Sequence, residues 1–458
     1  MDRFFELSAR GTTAGRELRG GITTFMAMAY VILLNPIILG GATDVTRAKL
    51  STQQLTTSTI LAAAVSTLLM GVIGNAPLGV ATGLGLNAVV AYQAAPHMTW
   101  AQAMGLVVLE GLVIVLLAMS GLRQLIMNSI PLALKHAISV GIGMFITLIG
   151  LVDAGFVGRG TGSPVQLGTT GRLTGWPVAL FCLGLLVMIA LFVRRIQGAI
   201  LIGIVITAVL AIVVDTFTTV PPELWGVVIP RMPEAVVGAP DFGLVGQVDL
   251  FGGFARAGAL TATVVLFTLV LSGFFDAMGT IIGVSDEAGL VDEQGRVPRL
   301  GAILTVDGVS AAIGGLASSS ANTVFVESAA GVGEGARTGL AAVVTGALFS
   351  LTLLFTPVAT VVPAAAAAPA LVLVGALMMT QVRNVPWEDL AIAIPAFLTI
   401  VLMPFTYSIT NGVGAGVISY TVIQAALGRA GRIPWLLWVV SLIFAIYFGV
   451  DGIGTLFF

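Results

Sequence analysis

Apolar stretches long enough to cross a membrane recur along the chain, separated by short polar connections. A spanning helix needs about 20 predominantly apolar residues, and these stretches form two sets around a longer polar connection at 217–258. The first set is predicted near 20–39, 56–76, 80–95, 101–119, 131–152, 176–193 and 198–215. The second set is predicted near 259–284, 300–317, 322–333, 338–357, 366–381, 388–405 and 410–428. The pattern predicts an all-α polytopic membrane protein with fourteen transmembrane segments, seven in each set.

The third segment of each set is short and is interrupted by glycine and polar residues. In the first set it contains the run 83–88 with Asn87, and in the second it contains the polar run 318–331 with Glu327. Short, interrupted segments at corresponding positions of two halves indicate a transporter binding site. Because each set has an odd number of segments, we expect the two halves to be inverted relative to each other.

A further apolar stretch at 434–454 does not fit the two sets. It either spans the membrane or lies along the interface on Trp435 and Trp438, since tryptophan favours the membrane–water boundary. The sequence leaves both interpretations open.

The arrangement of basic residues predicts the orientation. Cytoplasmic connections are enriched in Lys and Arg, and four arginines precede the first segment: Arg3, Arg10, Arg16 and Arg19. The connection at 217–258 contains Asp241 and Asp249 and is expected outside. We therefore expect a multi-pass protein of the inner (plasma) membrane with a cytoplasmic amino terminus.

Composition excludes several classes of function. The chain is 57% hydrophobic and only 9% charged, with a mean hydropathy of +1.05, which is typical of an integral membrane protein. The single cysteine, Cys182, excludes a disulfide framework and a thiolate metal site. The lysines, Lys49 and Lys135, do not follow a glycine as a P-loop requires, so an ATPase is excluded. Without a basic cluster we expect no nucleic-acid partner, and we also expect no cofactor, no metal and no enzymatic activity.

Three polar groups at membrane depth are the main site candidates: Asn87, Asp276 and Glu327. A charged side chain there costs about 2.5–3.5 kcal/mol and by default indicates a ligand or ion pathway. Glu327 is expected in the first turn of a short helix, where the helix dipole offsets part of that cost. Ser319, Ser320 and Thr323 are expected to cap this helix and to contact a ligand.

The chemistry of this set favours a neutral ligand. Two carboxylates and one amide accept hydrogen bonds from a planar, N–H-rich molecule better than they bind an anion. A low-dielectric cavity also favours the neutral form of a carboxyl group, which suits a group that takes up and releases a proton. The alternatives are a buried network that ties helices together and, for Asn87, an interhelical hydrogen bond.

Two further acidic residues lie in the predicted segments. Glu110 is either a member of a proton relay or a tie between helices. Asp307 is expected to orient the neighbouring short helix from behind the site.

Five stretches together resemble one family of transporters. They are 20–36 (GGITTFMAMAYVILLNP), 83–88 (GLGLNA), 274–280 (FFDAMGT), 326–331 (VESAAG) and 337–340 (RTGL). In order and spacing they resemble the AzgA-type purine permeases of the nucleobase–cation symporter superfamily. The resemblance implies two inverted seven-helix repeats, with short strands before the third and tenth helices.

The resemblance also implies a division into a core and a gate. The expected parts are core half 1 at 20–120, gate half 1 at 121–216, the external connection at 217–258, core half 2 at 259–358, gate half 2 at 359–430 and the extra helix at 434–454. Movement of the core against the gate would give alternating access of the elevator type. Gate helices of this fold commonly form dimers, so a homodimer is expected.

The family's substrate residues correspond to Asn87, Asp276 and Glu327 in the matching motifs, and Ser320, Thr323 and Phe325 are further expected substrate contacts. The candidates for proton coupling are Glu327, Asp276 and Glu110. The implied function is the import of adenine, guanine or hypoxanthine with protons. Asn322 and Phe325 depart from the residues expected before the glutamate, which leaves the choice among purines open. The competing interpretations are an anion transporter or exchanger of the same fold, and a channel or membrane scaffold.

Overall fold

The computed structural model describes residues 2–457 apart from 121–130, 161–162, 169–170, 219, 226–227, 234 and 292–296. The expected start of gate half 1 and parts of the external connection therefore lie outside the described residues.

Helices dominate both halves of the chain. The first half contains α1 (Asp2–Phe5), α2 (Ala14–Met28), α3 (Val31–Gly41), α4 (Thr52–Leu69), β1 (Val80–Thr82), α5 (Leu84–Val89), α6 (Trp100–Ser120), α7 (Leu132–Asp153), β2 (Val157–Gly158), β3 (Gln166–Leu167), α8 (Trp176–Val193) and α9 (Ala199–Thr218). The second half contains α10 (Pro222–Trp225), α11 (Gly252–Arg256), α12 (Ala259–Glu287), α13 (Leu300–Leu316), β4 (Asn322–Val324), α14 (Ser328–Gly333), α15 (Gly339–Thr352), α16 (Thr356–Ala359), α17 (Ala364–Met379), α18 (Leu390–Phe405), α19 (Ile409–Ala426) and α20 (Trp435–Phe457). The π-helical turns Met70–Gly74 and Val90–Ala94 continue α4 and α5.

Many of these helices are long and apolar. Within the described part of the chain, nine helical stretches have the length and composition to cross a membrane, and three apolar helices are shorter. Together they make this a mostly helical, multi-pass membrane protein.

The first apolar stretch is broken, where the sequence pattern predicts one continuous segment. Helix α2 ends at Met28, and α3 begins at Val31. At the break, the amides of Ile32 and Leu33 bond to carbonyls three residues earlier rather than four. This tighter turn lies just before Pro36, which cannot donate to the carbonyl of Ile32. The buried Tyr30 lies at this break.

Each helix pair that joins the two halves has a counterpart in which the corresponding helices come from the opposite halves. Helix α4 packs on α15 as α13 packs on α6, and α7 packs on α18 as α17 packs on α8. Likewise, α2 contacts α15 and α12 contacts α6. Corresponding helices of the two halves therefore pack against each other in the same combinations.

A buried ladder joins the two interrupted segments. Strand β1 pairs antiparallel with β4, with Val80 opposite Val324 and Thr82 opposite Asn322. Because the ladder is antiparallel, the corresponding segments of the two halves run in opposite directions. All backbone polar groups at membrane depth need partners inside the protein, and this ladder supplies them between the short helices.

The extra stretch at 434–454 forms the helix α20, which folds back along α19. Gly414 of α19 faces Phe444 and Phe448, and a Cβ at Gly414 would lie 2.8 Å from the ring of Phe448. Leu437 and Phe444 are buried in the same contact. Helix α20 therefore packs against α19 through these residues.

Candidate functional site

The two short helices begin where the β1–β4 ladder ends. The ladder is extended by bonds from the amide of Gly83 to the carbonyl of Ala321 (3.0 Å) and from the amide of Phe325 to the carbonyl of Gly79 (2.9 Å). Helix α5 follows Gly83, and α14 follows Glu327, which is its N-cap residue. The ladder therefore fixes the starts of both helices relative to each other.

Glu327 is held by a residue from the first apolar stretch. Its Oε1 accepts a hydrogen bond of 2.5 Å from the hydroxyl of the buried Tyr30. The rings of Tyr30 and Phe325 lie 6.5 Å apart at an angle of 51°. One carboxylate oxygen of Glu327 is thus fixed by Tyr30, and the residue itself is half-buried rather than fully covered.

Asp276 lies beside this glutamate. It sits within α12, and its charge interacts with Glu327 and with Tyr30. Asp276 and the neighbouring Val326 are exposed. Because a carboxylate facing lipid is costly, this opening indicates a water-accessible cleft between the helices.

Asn87 contributes the amide of the candidate set. It is fully buried, and its Oδ1 accepts a 2.5 Å hydrogen bond from the hydroxyl of Thr82. Its amide nitrogen has no partner among the described residues. The side chain therefore offers two unpaired donors near the start of α5.

Asp307 supports the strand from behind. It is buried on α13, and its Oδ1 accepts bonds from the amide of Val324 (3.1 Å) and the hydroxyl of Thr323 (3.3 Å). A carboxylate that accepts from a strand amide and from a hydroxyl of the same strand holds that strand in place. Thr323 consequently uses its hydroxyl hydrogen on Asp307.

Glu110 has a different environment from the other acids. It is fully buried on α6, and neither carboxylate oxygen has a hydrogen-bond partner within the described structure. A Cβ at Gly273 would lie 2.6 Å from its Oε1, so Glu110 packs against the backbone of α12 one turn before Asp276. Its charge also interacts with Asp307. The acids Glu327, Asp276, Asp307 and Glu110 thus form a chain of electrostatic neighbours.

The expected helix cap is wrong. Helix α14 has no side-chain cap: Thr323 donates to Asp307, and Ser319 donates to the carbonyl of Gly314 at 3.3 Å. Ser320 is buried, and its hydroxyl has no partner among the described residues. Its φ is 71°, because the chain reverses there before β4. The three residues shape the turn and the strand instead of the helix terminus.

Tyr30 is the site residue that sequence reasoning missed. It lies in the stretch 20–36 that carries the family resemblance, but nothing local distinguishes its hydroxyl from those of other aromatic residues in an apolar run. The available signal was a polar aromatic residue six positions before Pro36.

Solved structures with a similar fold are transporters. The transmembrane domain of the cyanobacterial bicarbonate transporter BicA has a TM-score of 0.59 and 15% identity, over 90% of this chain and 96% of that domain. The structure of SLC26A9 has a TM-score of 0.62 and 11% identity, over 90% of this chain and 65% of the other. At such identities the likeness shows the fold alone, which is that of the inverted-repeat transporters.

Sequence relatives cover almost the whole chain. Residues 15–414 match a family model described as "Permease family". The chain is 37% identical over 455 residues to the guanine/hypoxanthine permease PbuG of Bacillus subtilis, covering 98% of this chain and 99% of that protein. It is 36% identical over 451 residues to the adenine permease AdeP of Escherichia coli, covering 97% and 95%.

Proposed function

Because the chain belongs to this permease family, we propose that it imports a purine nucleobase (guanine, hypoxanthine or adenine) by secondary active transport coupled to protons. The observation that carries the proposal is the pair of carboxylates formed by the half-buried Glu327 and the exposed Asp276, near the place where the two short helices begin. Nearly full-length relatives that are named as purine permeases support the substrate class.

The substrate is bound mainly through its N–H groups. The second oxygen of Glu327 and the carboxylate of Asp276 accept from ring or exocyclic N–H groups. The unpaired amide donors of Asn87 meet a ring nitrogen or carbonyl of the base. Phe325, with Tyr30 behind it, lies against the ring system. Ser320 and Thr323 act on the substrate through the backbone turn and strand that they stabilise.

Glu110 is the best placed of the three proton-coupling candidates. Glu327 already accepts a hydrogen bond from Tyr30, and Asp276 is open to the cleft. A fully buried carboxyl group with no hydrogen-bond donor among the described residues is costly to ionise, which favours its protonated form. Release of that proton toward Asp276 would link the protonation of Glu110 to the state of the substrate site.

The fourteen-segment arrangement and the core and gate belong to the same proposal. The helices of 20–120 and 259–358 pack mainly on one another, which supports their assignment as the core, with those of 121–216 and 359–430 as the gate. We further propose elevator-type movement between them, a homodimer joined through gate helices, and a plasma-membrane location with the amino terminus in the cytoplasm.

An anion transporter is the alternative, since BicA is a bicarbonate transporter on a similar fold. Its support is the fold alone. Two neighbouring carboxylates repel an anionic substrate, so the site geometry favours the nucleobase.

The test is uptake of radiolabelled hypoxanthine by cells that express the protein. Glu327→Gln removes an acceptor made for the substrate and is expected to lower uptake at least about a hundredfold. The exposed Glu388→Gln is the matched control and should transport normally. A protonophore should abolish accumulation by the wild type. Uptake by Glu327→Gln at the wild-type level, with equal amounts in the membrane, would overturn the site assignment, and accumulation that resists the protonophore would overturn proton coupling.

A further inference from the structure

An apolar groove lies between the broken first helix and α9. It is bordered by α2 and α3, by Leu201 and Val205 of α9, and by residues of the segment 352–362 that includes α16. Its volume is about 200 Å³, and among the described residues that line it Thr352 alone is polar. The groove has no part in the proposed transport site.

This groove opens toward the membrane. Val205, Phe355 and Val358 line it and are exposed, so the groove reaches the surface of the protein. These residues lie in helical stretches with the length and composition to cross a membrane. The medium at such a surface is the hydrocarbon of the bilayer, and an apolar cavity is a poor host for water. An acyl chain of a membrane lipid therefore fits the groove.

Arginines lie at the end of the groove where α9 begins. A Cβ at Gly198 would lie 3.2 Å from the carbonyl oxygen of Met26, so the connection before α9 packs on α2. Arg194 and Arg195 belong to this connection, and the chain reverses at Arg195, which has a φ of 57°. Arg19 lies on α2 seven residues before Met26, or about 10 Å along the helix. The same two helices therefore carry the groove and the arginines.

These arginines have no acidic partner. Arg19, Arg194 and Arg195 are exposed, and none of them forms an ion pair with a described residue. Ile22, between Arg19 and the groove residue Phe25, is also exposed, so apolar surface continues from the groove to the charge. A guanidinium group matches the geometry of a phosphate, and basic residues at the ends of membrane helices attract anionic headgroups.

We propose that a phospholipid with an anionic headgroup binds here, with an acyl chain in the groove and its phosphate beside Arg19, Arg194 and Arg195. The groove accounts for the hydrocarbon chain, and the unpaired arginines account for the negative charge. The groove also separates helices of the proposed core from α9 of the proposed gate. A bound lipid would therefore favour the arrangement of core and gate in which the groove exists.

The experiment is photo-cross-linking of the purified full-length protein in phosphatidylcholine nanodiscs. Each sample contains a small fraction of a phosphatidylglycerol or a phosphatidylcholine probe, both with the same diazirine-bearing acyl chain, and mass spectrometry identifies the labelled peptides. In the wild type, the phosphatidylglycerol probe should label the groove peptides of α2, α3 and α9 at least about tenfold more than the phosphatidylcholine probe. The reason is that each arginine near the headgroup favours an anionic lipid about fivefold.

Two double variants test the arginines. Arg194→Gln with Arg195→Gln should lower groove labelling by the phosphatidylglycerol probe about tenfold and leave labelling by the phosphatidylcholine probe unchanged. Arg429→Gln with Arg432→Gln removes two exposed arginines that follow α19 and is the matched control. It should leave groove labelling by both probes unchanged.

Two single variants test the groove itself. Val205→Trp places a large side chain in the groove and should lower its labelling by both probes. Val209 is a similarly exposed valine one turn further along α9 and does not line the groove. Val209→Trp should therefore leave the labelling unchanged.

The outcomes do not depend on transport, so they test the lipid site separately from the proposed substrate. Equal groove labelling by the two probes in the wild type would overturn the proposal, as would full phosphatidylglycerol labelling of the Arg194→Gln, Arg195→Gln protein. A wild type whose groove is labelled by neither probe, and whose α2 and α9 are cross-linked to a second copy instead, would identify a protein interface and also overturn it.

Discussion

The acidic side chains inside the helix bundle differ in the groups that hold them. Glu327 accepts from a tyrosine hydroxyl at the edge of a cleft, whereas Asp307 accepts from the backbone and side chain of a strand. Glu110 accepts from no group in the described structure. These surroundings favour a different function for each carboxyl group. Glu327 would accept hydrogen bonds from a ligand, Asp307 would hold the strand, and Glu110 would carry a proton.

Tyr30→Phe tests the fixed position of Glu327. The variant removes only the hydroxyl that donates to Oε1, so the carboxylate gains rotational freedom and loses a charge-assisted bond. Such a bond contributes about 1.5–3 kcal/mol, and we expect the KM for hypoxanthine to rise about tenfold to a hundredfold. Concentration-dependent uptake with equal membrane abundance measures the change.

The control for this variant is Tyr420→Phe, which removes a hydroxyl from a half-buried tyrosine on α19 away from the carboxylates. Its KM should match the wild type. If Tyr30→Phe also matched the wild type, the hydroxyl would not position Glu327 during transport.

At this scale the sequence revealed the carboxylates but not their partners. A charged residue within an apolar segment is conspicuous because burial is costly, so Asp276, Glu327 and Glu110 could be selected directly. Tyr30 could not, since its bond to Glu327 joins positions 297 residues apart. Periodicity and composition carry no information about such pairs.

Short elements determine where the candidate site is formed. Strand β4 is fixed by its ladder with β1 and by Asp307, and the turn before it requires Gly314. A Cβ at Gly314 would collide with the carbonyl of Ser320. The glycine- and serine-rich composition of 318–331 predicted an interruption at this place. The break at Ala29–Tyr30 was not predicted, because its nearest sequence signal, Pro36, lies six residues further on.

Glu17 is a buried carboxylate that stabilises the fold and lies outside the candidate site. It is fully buried on α2, and its oxygens accept from the amides of Arg337 (2.7 Å), Thr338 (3.3 Å) and Ala341 (3.1 Å) at the start of α15. Glu17→Gln removes the negative charge from this helix terminus and at least one acceptor. We expect a loss of about 2–4 kcal/mol in the free energy of unfolding, measured by denaturation of the detergent-solubilised protein.

Glu6→Gln provides the comparison. Glu6 is paired with Arg10 near the surface at 2.9 Å, and exposed ion pairs contribute about 0–1 kcal/mol. Equal stability of the two variants would show that the contacts of Glu17 with α15 are not important for the fold.

Across the whole molecule, helix pairs that join the two halves recur with the corresponding helices of the opposite halves. The pattern of two seven-segment sets predicted this general plan, and the family match and relatives confirm the resemblance to purine permeases. The contacts between the proposed core and gate could not be predicted. One of them joins the loop residues Gln197 and Glu334, which carry no hydrophobic pattern.

The elevator proposal is tested by joining core and gate. At the protein surface Gln197 donates to Glu334 at 2.7 Å, and these residues belong to the proposed gate and core. In a Cys182→Ala background, cysteines at 197 and 334 should be linked by a short bifunctional thiol reagent. We expect uptake of labelled hypoxanthine to fall at least about tenfold, because a rigid core displacement requires this contact to separate.

A matched pair joins a core helix to the external connection and includes no gate residue. Gln102 of α6 donates to Asp249 of the external connection at 3.3 Å, also near the surface. Cysteines at 102 and 249 should form the same link without loss of uptake, since α6 and this part of the connection move together in the proposal. A cleavable reagent should restore uptake to the 197/334 protein when the link is cut. If that linked protein transported normally, the core and gate would not move apart at this contact, and alternating access would have to arise from local changes around the short helices.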